Sequence, residues 1–306
     1  MALRKTILCF LILVLLSFPC TTGNLFVKSE FVTSAVSIDS DGNVVPSSAP
    51  IEHNGNVYTL TGNISGSLAV QRSNIVIDGA GYALNGYGGT GVDLTNNLTE
   101  YPSMYEIRNV TVENLGIIDF NFSINARGSS QNTFYNDYIG NTTNNVHGEV
   151  LLYWNAGGNN ITHCTIIGNP YAIGIELSSG NTITENNLAG GILMQFAGNE
   201  TVDRNYWSDY FTKYPNATEI NSSGTGNTPY VIDTHGTVTG ILQDNHPQMN
   251  PVQLPLFPYN FQAVPINQLL SAIPEFPPLA IAMLMAVLSP AIVKWFRMRK
   301  NNRVLA

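Results

Sequence analysis

The chain is short of cysteine, of charge and of helix signals, and each shortage narrows what it can be. Of three cysteines in 306 residues, Cys9 and Cys20 fall within the first 23 and leave Cys164 alone in the rest. No disulfide can form within that remainder, so a cross-linked scaffold is excluded and stability has to come from packing. Charged residues are 11% of the sequence, and between residues 24 and 273 twenty Asp and Glu face six Lys and Arg. An acidic surface of that kind disfavours nucleic acid as a partner. Between Val57 and Trp207 there is no sustained helical periodicity of apolar residues. The same region is rich in Asn, Gly, Thr and Ile, a composition that favours β structure with tight turns.

The two ends have a different character. Met1-Ala-Leu-Arg4-Lys5, the apolar run Ile7 to Phe18, and the stretch Pro19 to Gly23 are the three regions of a secretory signal peptide, residues 1–23. Phe276 to Phe296 is apolar apart from Lys294 and as a helix covers about 30 Å, the hydrocarbon thickness of a bilayer. Lys294, Arg297, Arg299, Lys300 and Arg303 follow with no acidic residue among them. The charge bias predicts a cytoplasmic tail at 298–306 and an ectodomain outside the cell, anchored by the membrane helix. Pro247, Pro251, Pro255, Pro258 and Pro265 predict a semi-rigid linker, residues 251–273, between ectodomain and membrane.

What the middle does have is self-similarity. SNIVIDG, RNVTVEN, QNTFYND, NNITHCT, GNTITEN and GNETVDR each carry an Asn followed by alternation, at Asn74, Asn109, Asn132, Asn160, Asn181 and Asn199. The spacings of 35, 23, 28, 21 and 18 residues are those of a repeat architecture. A unit of this length holds two or three short strands and cannot bury its apolar face alone, so it stacks on its neighbours. A leucine-rich consensus and propeller signatures are both missing, which leaves a parallel β-helix with coils over 71–204. Ile75, Ile77, Val110, Val112, Ile161 and Ile183 are expected to point inward, and the six Asn to stack as a hydrogen-bonded structural ladder. Nine N-x-Ser/Thr sequons lie in the exported region. Asn97, Asn141, Asn216 and Asn221 look accessible to glycosylation, whereas Asn109, Asn160 and Asn199 are expected to be buried in the repeats.

Three stretches carry a family resemblance: Asp41 to Gly86, the Asn-led repeats, and Asn205 to Pro251 with NYWSDYFTKYPNATEI, GTGNTPYVID and QDNHPQMNP. With them the chain resembles archaeal NosD-like surface proteins, the CASH or parallel β-helix repeat family. The resemblance implies an all-β, right-handed parallel β-helix with an N-terminal cap at 24–70, a C-terminal cap at 205–250 and one C-terminal transmembrane helix. Pro274-Glu275-Phe276 before the apolar span (274–297 together) resembles the PEF-type sorting signal. That likeness implies an archaeosortase-like enzyme that cuts there and replaces the span with lipid. Relatives carry an acidic, glycine-punctuated loop before TPYVID that suits a cation; here it reads Asn221-Ser-Ser-Gly-Thr-Gly-Asn227, without carboxylates. A divalent cation would have to use Asp209, Asp233 or Asp244, and no metal or other cofactor is predicted.

The chemistry therefore points to recognition rather than to catalysis. A glycosidase needs two carboxylates facing each other across the scissile bond; Asp119 with Asp137 or Glu149, and Glu176 with Glu185, are the candidates, and none lies in a glycosidase motif. A lyase would add a base, for which Arg127 alone is insufficient. Copper, which the namesake's annotation suggests, needs clustered His, Met or Cys. The nearest pairs are His163 with Cys164, which alternation sends to opposite faces, and His246 with Met249. The leading expectation is a carbohydrate-binding, adhesion or structural module of the envelope, with glycans or envelope proteins as partners, and with Tyr206, Trp207, Asp209, Tyr210, Tyr230, Asp233 and Asp244 as a candidate ligand or cap cluster. The rival is a carbohydrate-active enzyme on the same fold.

Overall fold

The computed structural model describes residues 35–95, 107–140, 147–232, 234–235 and 242–254. The signal peptide, most of the linker, the motif at Pro274, Glu275 and Phe276, the apolar span and the basic tail lie outside the described residues, as do Asn97, Asn141 and Asp233. Among the described residues no helix is long and apolar enough to cross a membrane.

The strands fall into sets. The chain opens with β1 (Val36–Ile38), β2 (Val44–Val45) and β3 (Ile51–Asn54). Three strands per coil follow: β4 (Val57–Leu60), β5 (Ile64–Ser65) and β6 (Leu68–Val70); β7 (Ile75–Asp78), β8 (Ala83–Asn85) and β9 (Thr90–Asp93). The next two coils are β10 (Val110–Glu113), β11 (Gly116–Ile118) and β12 (Phe122–Asn125), then β13 (Thr133–Tyr135), β14 (Tyr138–Gly140) and β15 (Val150–Tyr153). In the following pair the second and third strands fuse: β16 (Asn160–Thr162) with β17 (Thr165–Glu176), and β18 (Thr182–Thr184) with β19 (Asn187–Gln195). The last elements are β20 (Thr201–Asp203), β21 (Tyr206–Trp207), the one-turn helix α1 (Tyr210–Lys213), β22 (Tyr230–Val231), β23 (Thr234–His235) and β24 (Gln243–Asp244).

β3 and the first strands of successive coils form an eight-stranded sheet, β20-β18-β16-β13-β10-β7-β4-β3, fourteen further strands form a second, and β22 pairs with β24 in a third. Pairing between coils is parallel, and it already includes β1, which pairs with β6, and β4 to β6, within the segment read from sequence as the N-terminal cap. Antiparallel pairs flank the stack, β1 with β2 and β3 with β4 at one end and β22 with β24 at the other. The architecture is thus nearly all-β and solenoid-like, with stacked parallel sheets compatible with a β-helix.

Register explains why so few residue types suffice. Tyr58, Ile77, Val112, Phe134, Ile161, Ile183 and Val202 lie in one inward column, and every one is buried. Leu84, Ile117, Ile139, Ile166, Leu188 and Trp207 form a second, and Leu68, Val92, Ile124, Val150, Ile173 and Ile192 a third. Each side chain packs on the equivalent one about 4.8 Å above and below, and each contributes roughly 1.5–3 kcal/mol by leaving water. Ile75, Ile77, Val110, Val112, Ile161 and Ile183 are all buried, as the alternation predicts.

Turning from one strand to the next needs a residue in the left-handed region. Before the first strand of each coil Asn74, Asn109, Gln131, Gly158, Gly180 and Asn199 hold that place, with φ between 53° and 74°. After the first strand it falls to Asn114, Asn136, His163, Glu185 and Arg204. Asn and Gly tolerate this conformation best, which is why Asn punctuates the repeats.

Candidate functional site

The predicted Asn ladder divides into separate columns. Asn74, Asn109 and Asn199 occupy the left-handed turn, where the amide of Asn109 donates to Asn74 Oδ1 at 2.9 Å. Asn132 and Asn181 sit one residue further on and point inward, in register with Asn159 rather than with Asn160. There the backbone N–H of Val110 donates to Asn132 Oδ1, Asn132 to Asn159 Oδ1 and Asn159 to Asn181 Oδ1, at 2.9–3.0 Å. The backbone N–H of Asn181 donates in turn to Glu200 Oε2 at 2.6 Å. Asn160 lies inside β16, part-exposed. Asn109 and Asn199, expected to be buried, are exposed because the left-handed turn aims their side chains outward. Asn216 and Asn221 are exposed as well.

A second inward column follows the first strand: Asp137, Cys164, Asn186 and Asn205, ending on Asp244. Leu115 N–H donates to Asp137 Oδ1, Cys164 N–H to Asn186 Oδ1 and Asn186 N–H to Asn205 Oδ1, at 2.9–3.1 Å. Asp244, fully buried, accepts from the backbone N–H groups of Arg204, Asn205 and His246, from the Asn205 amide and from the Trp207 indole. Burial raises its carboxyl above the usual range, and these donors oppose the rise. With its oxygens turned to donors of the protein, Asp244 is placed as a stop to the ladder and not as a cation ligand.

Most of the predicted cluster surrounds that stop. Trp207 and Tyr230 stack with ring centroids 4.0 Å apart and planes 5° apart, and Lys213 Nζ lies 4.4 Å over the Tyr230 ring. Tyr230 donates its hydroxyl to Asp209 Oδ2 at 3.2 Å, and Tyr210 donates to the Thr228 carbonyl at 2.7 Å. Trp207, Tyr210 and Tyr230 are buried, Tyr206 is part-buried and Asp209 is exposed. Trp207 and Tyr230 spend their faces on each other, and with the buried Tyr210 they cover the last coil at this end of the stack.

The acids proposed as catalytic pairs have other partners or surroundings of their own. Glu176 ends β17 and pairs with His147 at 2.9 Å, while Glu185, on the turn after β18, binds Arg204 at 2.9 Å and His163 at 3.4 Å. Asp137 points into the core and Asp119 sits exposed on a turn. Glu149 is buried, accepting from Ser123 Oγ at 2.7 Å. His163 lies on the outer side of its turn while Cys164 is fully buried, and His246 pairs with Asp203 at 2.7 Å. Among the described residues no three His, Cys, Asp or Glu gather as a metal site.

A groove of mixed polar and apolar lining that sequence reasoning missed lies beside the eight-stranded sheet. Its floor is the column His163, Glu185 and Arg204, and its walls are Ser223 to Thr225 and the segment Gln248 to Gln253, enclosing about 590 Å³. Tyr135 abuts it through His163, ring centroids 5.5 Å apart. Register extends it onto the sheet's outer face, where Thr111, Thr133, Asn160, Thr182 and Thr201 form one column and Glu113, Tyr135, Thr162, Thr184 and Asp203 the next. Residues 163, 185 and 204 recur in sequence at the coil spacing, each next to a repeat motif. That signal was present, but nothing in it marks a groove until the cap folds back. No family model, curated protein or solved structure matches the chain.

Proposed function

We propose that this chain is a cell-surface protein whose right-handed parallel β-helix stands outside the membrane and binds glycans through the groove over His163, Glu185 and Arg204. The supporting observation is the composition of that groove. Its lining mixes polar and apolar groups: Arg204, Glu185, Gln248, Asn250 and Thr225 offer donors and acceptors at close range beside the apolar Pro251 and Val252. Glu185 is held between His163 and Arg204, so the floor is organised before any ligand arrives, and ordering costs on binding are small. The Thr and Asn columns beside it lengthen the polar track. Export by the signal peptide, tethering by the C-terminal span or by lipid after cleavage at the PEF-like motif, NosD-like ancestry, and modification at Asn216 and Asn221 belong to the same proposal, with envelope glycans as the partner.

A glycan array probed with the full chain and with Arg204→Ala tests the groove. Binding of at least one glycan class by the wild type, weakened about tenfold in the variant through loss of a charge-assisted contact of roughly 1.4 kcal/mol, is the expected result. A wild type that binds nothing, or a variant that binds equally well, removes the groove as the site.

A further inference from the structure

Asp137 is the anomaly of the second inward column. It is fully buried; Oδ1 accepts the Leu115 N–H at 2.9 Å, but Oδ2 has no hydrogen-bond partner. Every following donor-bearing member of the column turns its side-chain donor to a backbone carbonyl of the preceding coil. Cys164 Sγ donates to the Phe134 carbonyl at 3.4 Å, Asn186 Nδ2 to the Ile161 carbonyl and Asn205 Nδ2 to the Ile183 carbonyl, both at 2.9 Å. In each case the acceptor belongs to the preceding coil and is the register partner of the residue three positions before the donor. Applied to position 137, that rule selects the partner of Phe134, which is Val112. A carboxylate oxygen placed there by the same rule would meet a carbonyl oxygen, two acceptors with no hydrogen between them, at a buried site where the mismatch is costly.

We propose that Asp137 is held as the neutral carboxylic acid and that its Oδ2–H donates to the Val112 carbonyl, so that one proton is a structural component of the stack. The surroundings agree. Burial pushes the carboxyl well above its ordinary range, and the charged groups nearest to it, Glu113 and Asp78 on the first strands of neighbouring coils, push it the same way, against the Leu115 and Tyr135 backbone groups. From the following coil it faces the neutral thiol of Cys164, itself pushed up by burial. As the acid, Asp137 is an Asn isostere, and the column then reads without interruption from position 137 to Asn205.

The linkage has a definite sign. The folded carboxyl titrates above the unfolded one, so the folded state holds a proton that the unfolded state releases. This contribution to stability is complete below about pH 4, the unfolded value, and is lost as pH rises towards the raised folded value. Across that window the unfolding constant of the wild type rises by about tenfold per pH unit from this group alone. Asp137→Asn supplies the donor without a proton and removes that slope. Denaturant unfolding of the full chain and of Asp137→Asn over a pH series is the direct experiment, with a slope difference of one proton and an increasingly more stable variant at high pH as the expected result. Parallel slopes overturn the proposal. Should the variant fail to fold, infrared spectroscopy of the wild type decides: a protonated-carboxyl C=O band at neutral pH, from protein with Asp labelled at the carboxyl carbon, supports the buried acid, and its absence refutes it.

Discussion

The two inward polar columns run the same way and stop differently. In both, the backbone N–H of one coil donates to a side-chain oxygen of the next, and Asn serves in mid-column because it accepts and donates at once. Both end on a carboxyl group, Glu200 or Asp244, that accepts the last backbone N–H of its column. At Asp244 five hydrogen bonds converge, and Trp207 and Tyr230 seal the site. At Glu200 the backbone N–H of Asn181 is the single bond described, while Glu200 Oε1 and Asn181 Nδ2 have no hydrogen-bond partner. A terminal acid is thus a general way to finish a hydrogen-bond ladder, and its worth depends on how many donors the closing segment brings to it.

The largest effect follows from the better-furnished stop. Asp244→Ala strands the donors of Arg204, Asn205, His246 and Trp207 in a buried site, and we expect a loss of roughly 3–5 kcal/mol. Glu200→Ala is expected to cost no more than about 1–2 kcal/mol, since one N–H loses its partner. Equilibrium urea unfolding of both variants measures the difference. Equal losses would mean that the convergence of donors at Asp244 adds nothing.

Next in size is the pH response of the weaker stop. Burial pushes Glu200 up to about 7 from an ordinary value of 4.5. The folded value is the higher one, so stability from this group is complete below the unfolded value and declines as pH rises through about 7. Glu200→Gln keeps an acceptor for Asn181 and removes the titration. The variant is expected to be the more stable protein above neutral pH and to show a flatter pH profile from 4.5 to 7. A variant less stable than the wild type at high pH would show that the ionised form is favoured in place.

Much of this was legible beforehand, and the unreadable remainder has physical causes. The Asn-led motifs marked the coils because the left-handed turn selects Asn and Gly; Asn74, Asn109 and Asn199 occupy that turn, although Asn109 and Asn199 were expected to be buried. The phase within each motif was not legible. Asn159 and Asn160 are adjacent and chemically identical, and only cross-coil register assigns the ladder to Asn159. The second column was invisible for a related reason. Asp137, Cys164, Asn186 and Asn205 are of three residue types, and a polar residue that turns inward right after a strand looks like an ordinary loop. The groove escaped notice because Ser223 to Thr225 and Gln248 to Gln253 approach His163, Glu185 and Arg204 only after the cap has folded back over the last coils.

The finest form of the comparison concerns the turn that precedes both columns. Gly180 has φ +74°, and a Cβ added there would meet nothing within 4 Å, so backbone conformation alone governs a substitution. Gly180→Ala is expected to cost about 1 kcal/mol, the steric penalty of the left-handed region. Asn is the residue the same column uses at positions 74, 109 and 199, where its side chain reaches outward. Gly180→Asn should therefore cost only a few tenths of a kcal/mol, and thermal unfolding of the two variants side by side resolves the gap. If Asn proved as damaging as Ala, its recurrence at the coil turns would have to come from the hydrogen bond seen between Asn109 and Asn74 and not from tolerance of positive φ.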